Sequence, residues 1–162
     1  GKFQIDITWN PLNHYEFGQN YAVFHYGIND RWDLHGYISH HKEGHFTWYA
    51  GFFYQFINYK NIDLATAIGI RRQFKQNWTD IFFPQLLYTV NLNKSFYIGG
   101  SIVNVVNTSN YKSHGESIDL GLFYNFNIKK LENVAVGISL FHPATAENKN
   151  LFYPTYSIDI KF

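Results

Sequence analysis

The segment Leu151–Phe162, LFYPTYSIDIKF, decides the reading of the whole chain. From Phe152 onward every second residue is apolar or proline: Phe152, Pro154, Tyr156, Ile158, Ile160 and Phe162. Tyr153, Thr155, Ser157, Asp159 and Lys161 stand between them, and all can face water. Period-two alternation of this kind places an apolar stripe on one face of a β-strand and polar groups on the other.

The same alternation recurs back along the chain. Val134–His142 sets Val134, Val136, Ile138 and Leu140 against Ala135, Gly137 and Ser139, and Ser117–Asn127 sets Ile118, Leu120 and Leu122 against Asp119, Gly121 and Phe123. Ser95–Val106 has the least distinct faces, and Asp80–Leu92 carries Pro84, which removes a ladder donor and predicts a bulge or a strand end there. Ile62–Arg71, His45–Phe56, Trp32–His40, Tyr21–Ile28 and Lys2–Trp9 complete the set. Segments rich in Asn, Pro, Ser and Gly separate them, with the longer ones at Asn10–Asn20, Arg72–Thr79, Asn107–Glu116 and Pro143–Asn150. Helix-period patterning is absent from the sequence.

Composition bounds the interpretation. A chain of 162 residues is one domain, residues 1–162. Aromatic residues make up 20% of it and charged residues only 15%. Mean hydropathy is nevertheless −0.27, and no apolar run approaches the roughly 18 residues of a membrane helix. High aromatic content without a long apolar run fits membrane-crossing strands, whose signal per segment is weak. A net charge of +1 gives no reason to expect a nucleic-acid partner. The absence of cysteine excludes disulfides and thiol chemistry.

An alternating strand that closes on an aromatic residue resembles the C-terminal strand of bacterial outer-membrane β-barrels. The resemblance implies a closed antiparallel transmembrane barrel, all-β, with ten strands, or eight if two of the shorter segments are loop excursions. It also implies an outer-membrane location with both termini periplasmic, the lipid bilayer as surroundings, and recognition of the last strand by the barrel-assembly machinery. An exported barrel further implies a signal peptide removed or omitted before Gly1. The pattern of connections agrees, since long and short segments alternate. Aromatics gather at strand ends: Trp9, Trp48, Trp78 and Phe82 toward one rim, and Phe3, Trp32, Phe56, Phe96, Phe126 and Phe162 toward the other. A water-soluble container of the lipocalin type would hide its apolar face in the lumen. Here that face holds more large side chains than so small a barrel can enclose.

The polar face is then the lumen. Its candidate pore-lining residues are Asp6, Asp33, His35, Tyr49, Arg71, Gln85, Asp119 and Asp159. Interior carboxylates (Asp6, Asp33, Asp119, Asp159) outnumber interior cations (Arg71, Lys161), so a conducting path would prefer cations slightly. Small inward residues such as Ala65, Ala67, Gly69, Gly99, Ala135 and Gly137 either leave a narrow aqueous path or match large residues across a packed interior.

Other chemistry has weaker support in the sequence. His14, His40, His41, His45, His114 and His142 fall near the rim with the longer loops. His40, His41 and His45 are the weak candidates for holding a transition metal, but no accompanying carboxylate or cysteine spacing supports a site, and no cofactor is expected. Small barrels of the lipid A deacylase family carry His-x-Ser, whereas this chain has Ser39-x-His41 in reverse order. Omptin proteases use Asp-His pairs at the outer rim, whereas Asp33-x-His35 lies near the opposite end and reads as a hydrogen-bonded pair in the lumen. Palmitoyl transfer would want an N-terminal amphipathic helix, where this chain enters a strand. The leading expectation is a narrow passive channel or solute-binding pore for small solutes. The alternatives are a lipid- or peptide-hydrolysing barrel and an adhesion or display barrel without transport.

Overall fold

The alternating segments become ten strands. They are β1 (Phe3–Trp9), β2 (Asn20–Gly27), β3 (Trp32–His40), β4 (Phe46–Tyr59), β5 (Ile62–Gln73), β6 (Thr79–Asn91), β7 (Phe96–Asn107), β8 (Ser113–Phe126), β9 (Asn133–His142) and β10 (Tyr153–Lys161). The computed structural model describes residues 1–10, 20–40, 46–73, 79–128, 131–144 and 152–162, with the side chains of residues 73–84 outside the description. Trp78, His14, His41 and His45, and the side chains of Phe82 and Pro84, therefore lie outside the described residues.

Each strand pairs antiparallel with its sequence neighbours, and β10 closes the ring against β1. The closing register sets Ile5 opposite Ile160, Asp6 opposite Asp159 and Ile7 opposite Ile158. Strand number is thus ten rather than eight, and no sheet edge is left unpaired.

The connections sort the barrel into two ends. The tight ones include Lys60-Asn61, where Lys60 takes the left-handed conformation at φ 54°. Gly1 and Phe162 lie at this turn end, with the Phe162 amide bonded to the Phe3 carbonyl at 2.9 Å. The longer connections join strands at the opposite, loop end.

β4 and β8 extend furthest beyond the alternation. β4 continues to Tyr59, past a register shift between Gln55 and Ile57 that breaks its period at Phe56. β8 begins at Ser113 rather than Ser117, past another shift opposite Val105 and Val106. There Gly115 takes φ 124°, a conformation that side chains resist. Polar residues read as loop in the sequence, but ladder hydrogen bonds at a wet rim do not depend on apolar side chains. A register shift between Phe82 and Gln85 falls at Pro84, the place expected from its missing N–H.

The apolar stripes face outward. Ile7, Phe24, Ile38, Phe52, Ile68, Leu86, Ile102, Leu120, Ile138 and Tyr156, one from each strand in order, are all exposed on the barrel wall. A belt through every strand exceeds the few hundred Å² of contiguous apolar surface that a soluble monomer tolerates. Its natural solvent is hydrocarbon. Aromatic pairs border the belt: Phe3 with Phe162, Trp32 with Tyr54 and Phe96 with Tyr124 at the turn end, and Trp9 with Tyr156 nearer the loop end. The polar stripes face inward, with Ser39, Thr47, Thr155 and Ser157 each under a tenth exposed.

Candidate functional site: the lumen

Inward alternation from ten strands brings residues distant in sequence around one axis. The lumen holds two chambers among the described residues. The chamber toward the loop end measures about 330 Å³ and is lined by Asp6, His35, Tyr49, Arg71, Gln85, Asp119 and Asp159, together with Ser39, Thr47 and Ser157. The chamber toward the turn end measures about 670 Å³ and is lined by Asp33, Gln55, Asp63, Asn91, Asn125 and Lys161. Asp6, His25, Leu87, Phe123 and Asp159 border both chambers and so mark the waist between them.

The waist is a hydrogen-bonded girdle built on the closing register. Asp6 and Asp159 are directly opposed across the β1–β10 seam. Like charges so placed repel, and each is held by its own partners. Gln4 Nε2 donates to Asp6 Oδ1 at 2.7 Å, and His25 Nε2 lies 3.1 Å from Asp6 Oδ2. On the other side the Tyr97 hydroxyl, reaching from β7, donates to Asp159 Oδ2 at 3.1 Å. The Tyr97 ring stacks on Phe123 with centroids 4.7 Å apart and planes 3° from parallel. Two carboxylates on one wall thus meet an aromatic wall contributed by β7 and β8.

Small residues create the room for these rings. A Cβ built on Gly121 or Gly137 would run into the Phe123 ring, so the ring lies flat against bare backbone of β8 and β9. Gly51 and Gly69, opposite each other on β4 and β5, seat Tyr49 in the same way. The Tyr49 hydroxyl lies 2.6 Å from His35 Nε2, and its ring stacks on Tyr37 with centroids 5.3 Å apart. The small inward residues therefore do not make one side of the lumen empty. They let two aromatic groups lie along the wall, with chambers beside them.

The structure corrects the reading of Asp33 and His35 as a bonded pair. His35 is buried and engages Tyr49, while Asp33 lines the chamber toward the turn end. Gly51, directly opposite His35 on β4, leaves room for the Tyr49 side chain, which brings its hydroxyl to the imidazole. Of the weak metal candidates, His40 packs its ring 4.7 Å from Phe46, and His41 and His45 lie outside the described residues. Among the described residues, no group of three or more potential ligands surrounds a point where an ion would sit.

No protein-family model matches the chain, and no curated protein matches it in sequence. Solved structures do match it in shape. The KdgM porin superposes with a TM-score of 0.58 over 100% of this chain and 98% of that one, at 7% identity. The KdgM porin in complex with disordered oligogalacturonate superposes with a TM-score of 0.54 over 99% and 96%, at 6% identity. The chain has the fold of a porin-like outer-membrane barrel. At these identities the likeness is one of architecture, and the lumenal chemistry of this porin-like barrel comes from its own residues.

Several lumenal residues were not singled out by sequence reasoning. Asp63 faces the larger chamber and accepts from Gln55 Nε2 at 3.1 Å. It shares the inward parity of Ala65 and Ala67 in the segment Ile62–Arg71, so the alternation itself could have found it. Tyr97 and Phe123 were legible as inward but not as a stacked waist, because their contact joins two strands whose mutual register only the fold supplies. His25 was inward by alternation, and its partner Asp6 became visible only with the β1–β2 register.

Proposed function

We propose that this porin-like barrel is a narrow passive channel of the bacterial outer membrane, with both termini periplasmic, that admits small solutes and prefers cations. The observation that carries the reading is the waist: opposed Asp6 and Asp159, held by His25, Gln4 and Tyr97, between the two chambers. Among the described residues, the charged groups lining the lumen are Asp6, Asp33, Asp63, Asp119 and Asp159 against Arg71 and Lys161. A constriction lined by carboxylates lowers the energy of a cation and raises that of an anion. The neighbouring KdgM porin is described in complex with oligogalacturonate. An acidic saccharide of that kind would be repelled by this lumen, so the solute we assign is small and neutral or positive.

The tight turns and both termini share one end, the arrangement of the periplasmic side in outer-membrane barrels. On this reading β10, whose outward face carries Tyr156, Ile158 and Ile160, is the strand engaged by the barrel-assembly machinery. Reconstitution into a planar bilayer under a potassium chloride gradient tests the proposal. Discrete current steps with a cation-selective reversal potential are expected. Replacing both waist carboxylates, Asp6→Asn with Asp159→Asn, is expected to move that potential toward zero. A silent bilayer, or an anion-selective potential in the unsubstituted protein, would contradict the reading.

A further inference from the structure

The loop-end chamber contains more hydrogen-bonding capacity than the protein uses. Gln85 on β6, Asp119 on β8 and Ser157 on β10 all line it. Gln85 is 8% exposed and Ser157 6% exposed. Asp119 Oδ1 and Ser157 Oγ have no hydrogen-bond partner within the protein, and Gln85 Nε2, whose side chain also approaches the Tyr49 hydroxyl, makes no bond of good geometry. Buried polar atoms in folded proteins are nearly always paired, and three atoms without a well-made bond around one chamber call for an explanation. The Asp119 main chain is meanwhile fixed, because its carbonyl accepts from the Tyr88 hydroxyl at 3.1 Å. The Asp119 backbone sits in the ladder between β7 and β9, and one oxygen of its buried carboxylate is uncommitted. An ionisable group at membrane depth that faces a cavity marks a solute path.

The chemistry of the three atoms specifies a ligand. An ionised carboxylate only accepts, the Gln85 amide nitrogen only donates, and the Ser157 hydroxyl does either. The stacked rings of Tyr37 and Tyr49 supply an aromatic wall in the same chamber. Asp6, Asp119 and Asp159 set its charge against Arg71. We propose that the loop-end chamber is a binding site for a small organic cation, an ammonium or guanidinium group bearing a hydrogen-bond acceptor. The cationic head donates to Asp119 and passes over the tyrosine faces, where a cation is attracted to the ring quadrupole. The acceptor takes the Gln85 amide hydrogen, and Ser157 completes the set. A chamber of about 330 Å³ is at the small end of ligand-sized sites, which suits a single small molecule.

The inference rests on the channel reading and adds a solute class to it. Calorimetric titration of the full chain in lipid nanodiscs tests it, with argininamide as the probe and glucose as the neutral polyhydroxyl control. Saturable argininamide binding and no glucose binding are expected. Asp119→Asn is expected to weaken argininamide at least about tenfold, since a charge-assisted hydrogen bond is lost. Gln85→Ala and Ser157→Ala are expected to weaken it less. Variants are compared only where tryptophan fluorescence and resistance to urea match the parent, and Ser157→Ala keeps the test open if Asp119→Asn fails to fold. Glucose binding equal to argininamide binding, or argininamide affinity unchanged in Asp119→Asn, would overturn the site. Current steps without argininamide binding would overturn this inference and leave the channel standing. A silent bilayer would overturn the channel, and argininamide binding would still be judged by its own variants.

Discussion

Leu120 tests the physical basis of the fold. It is 49% exposed on the outer wall, near the middle of β8, with Gly100 and Leu140 opposite it on the flanking strands. If that wall faces hydrocarbon, Leu120→Arg places a guanidinium at the centre of the apolar belt. The cost for Arg at the midplane of a membrane barrel is about 2–4 kcal/mol, falling to about 0–1 kcal/mol near the interfaces. Leu92→Arg, just past the turn end of β6, supplies the shallow comparison. If the wall instead faced water, a substitution at a half-exposed surface site would change stability by no more than about 0.5 kcal/mol. The two situations therefore differ several-fold. Urea titration of folding into phospholipid vesicles, followed by tryptophan fluorescence, resolves the difference. Equal and small effects at Leu120 and Leu92 would refute the lipid-facing wall.

Other outcomes follow from the lumen and the turn end. Gly69→Ala drives a methyl group into the Tyr49 ring and is expected to destabilise by about 1–3 kcal/mol; in a double-mutant cycle Tyr49→Ala should remove most of that penalty. Phe123→Ala takes away the ring bordering both chambers and its stack with Tyr97, so single-channel conductance should rise while stability falls by urea titration. At the turn end, Lys2 and Lys161 both pair with Glu132, and the hydrogen bond from Lys2 holds its carboxyl below the usual glutamate range. A depressed carboxylate stabilises the fold above its ordinary titration range and loses that contribution as pH falls through the depressed value. Glu132→Gln should therefore shift the urea midpoint slightly at neutral pH and not at all in strong acid, with the neutral effect shrinking in high salt.

Fold and site were legible to different depths. Strand positions were readable because lipid outside and water inside impose opposite demands on adjacent residues. The stretch from Tyr153 to Lys161 therefore alternates almost without exception, and so does Ser117–Phe126. Alternation fails where geometry departs from the ideal pleat. Phe56 sits at a bulge, Gly115 takes a positive φ, and Ser113–Glu116 pairs in the ladder despite a loop-like composition. The inward direction of Asp6, Asp119 and Asp159 followed from the same alternation. Which of them meet did not follow. The Asp6–Asp159 opposition depends on the register of strands at opposite ends of the chain, and Tyr97 reaches Asp159 across 62 positions of sequence. The pairing expected between Asp33 and His35 was drawn from sequence proximity. The fold instead offered His35 a closer partner in Tyr49.

The most direct measurement is spin-label accessibility scanned from Ile118 to Phe123 on β8 in lipid vesicles, with oxygen as the apolar quencher and a nickel chelate as the aqueous one. The account requires labels at residues 118, 120 and 122 to be quenched by oxygen, and labels at 119, 121 and 123 to be shielded from it. A scan without period two, or with the oxygen-accessible phase at residues 119, 121 and 123, would contradict it.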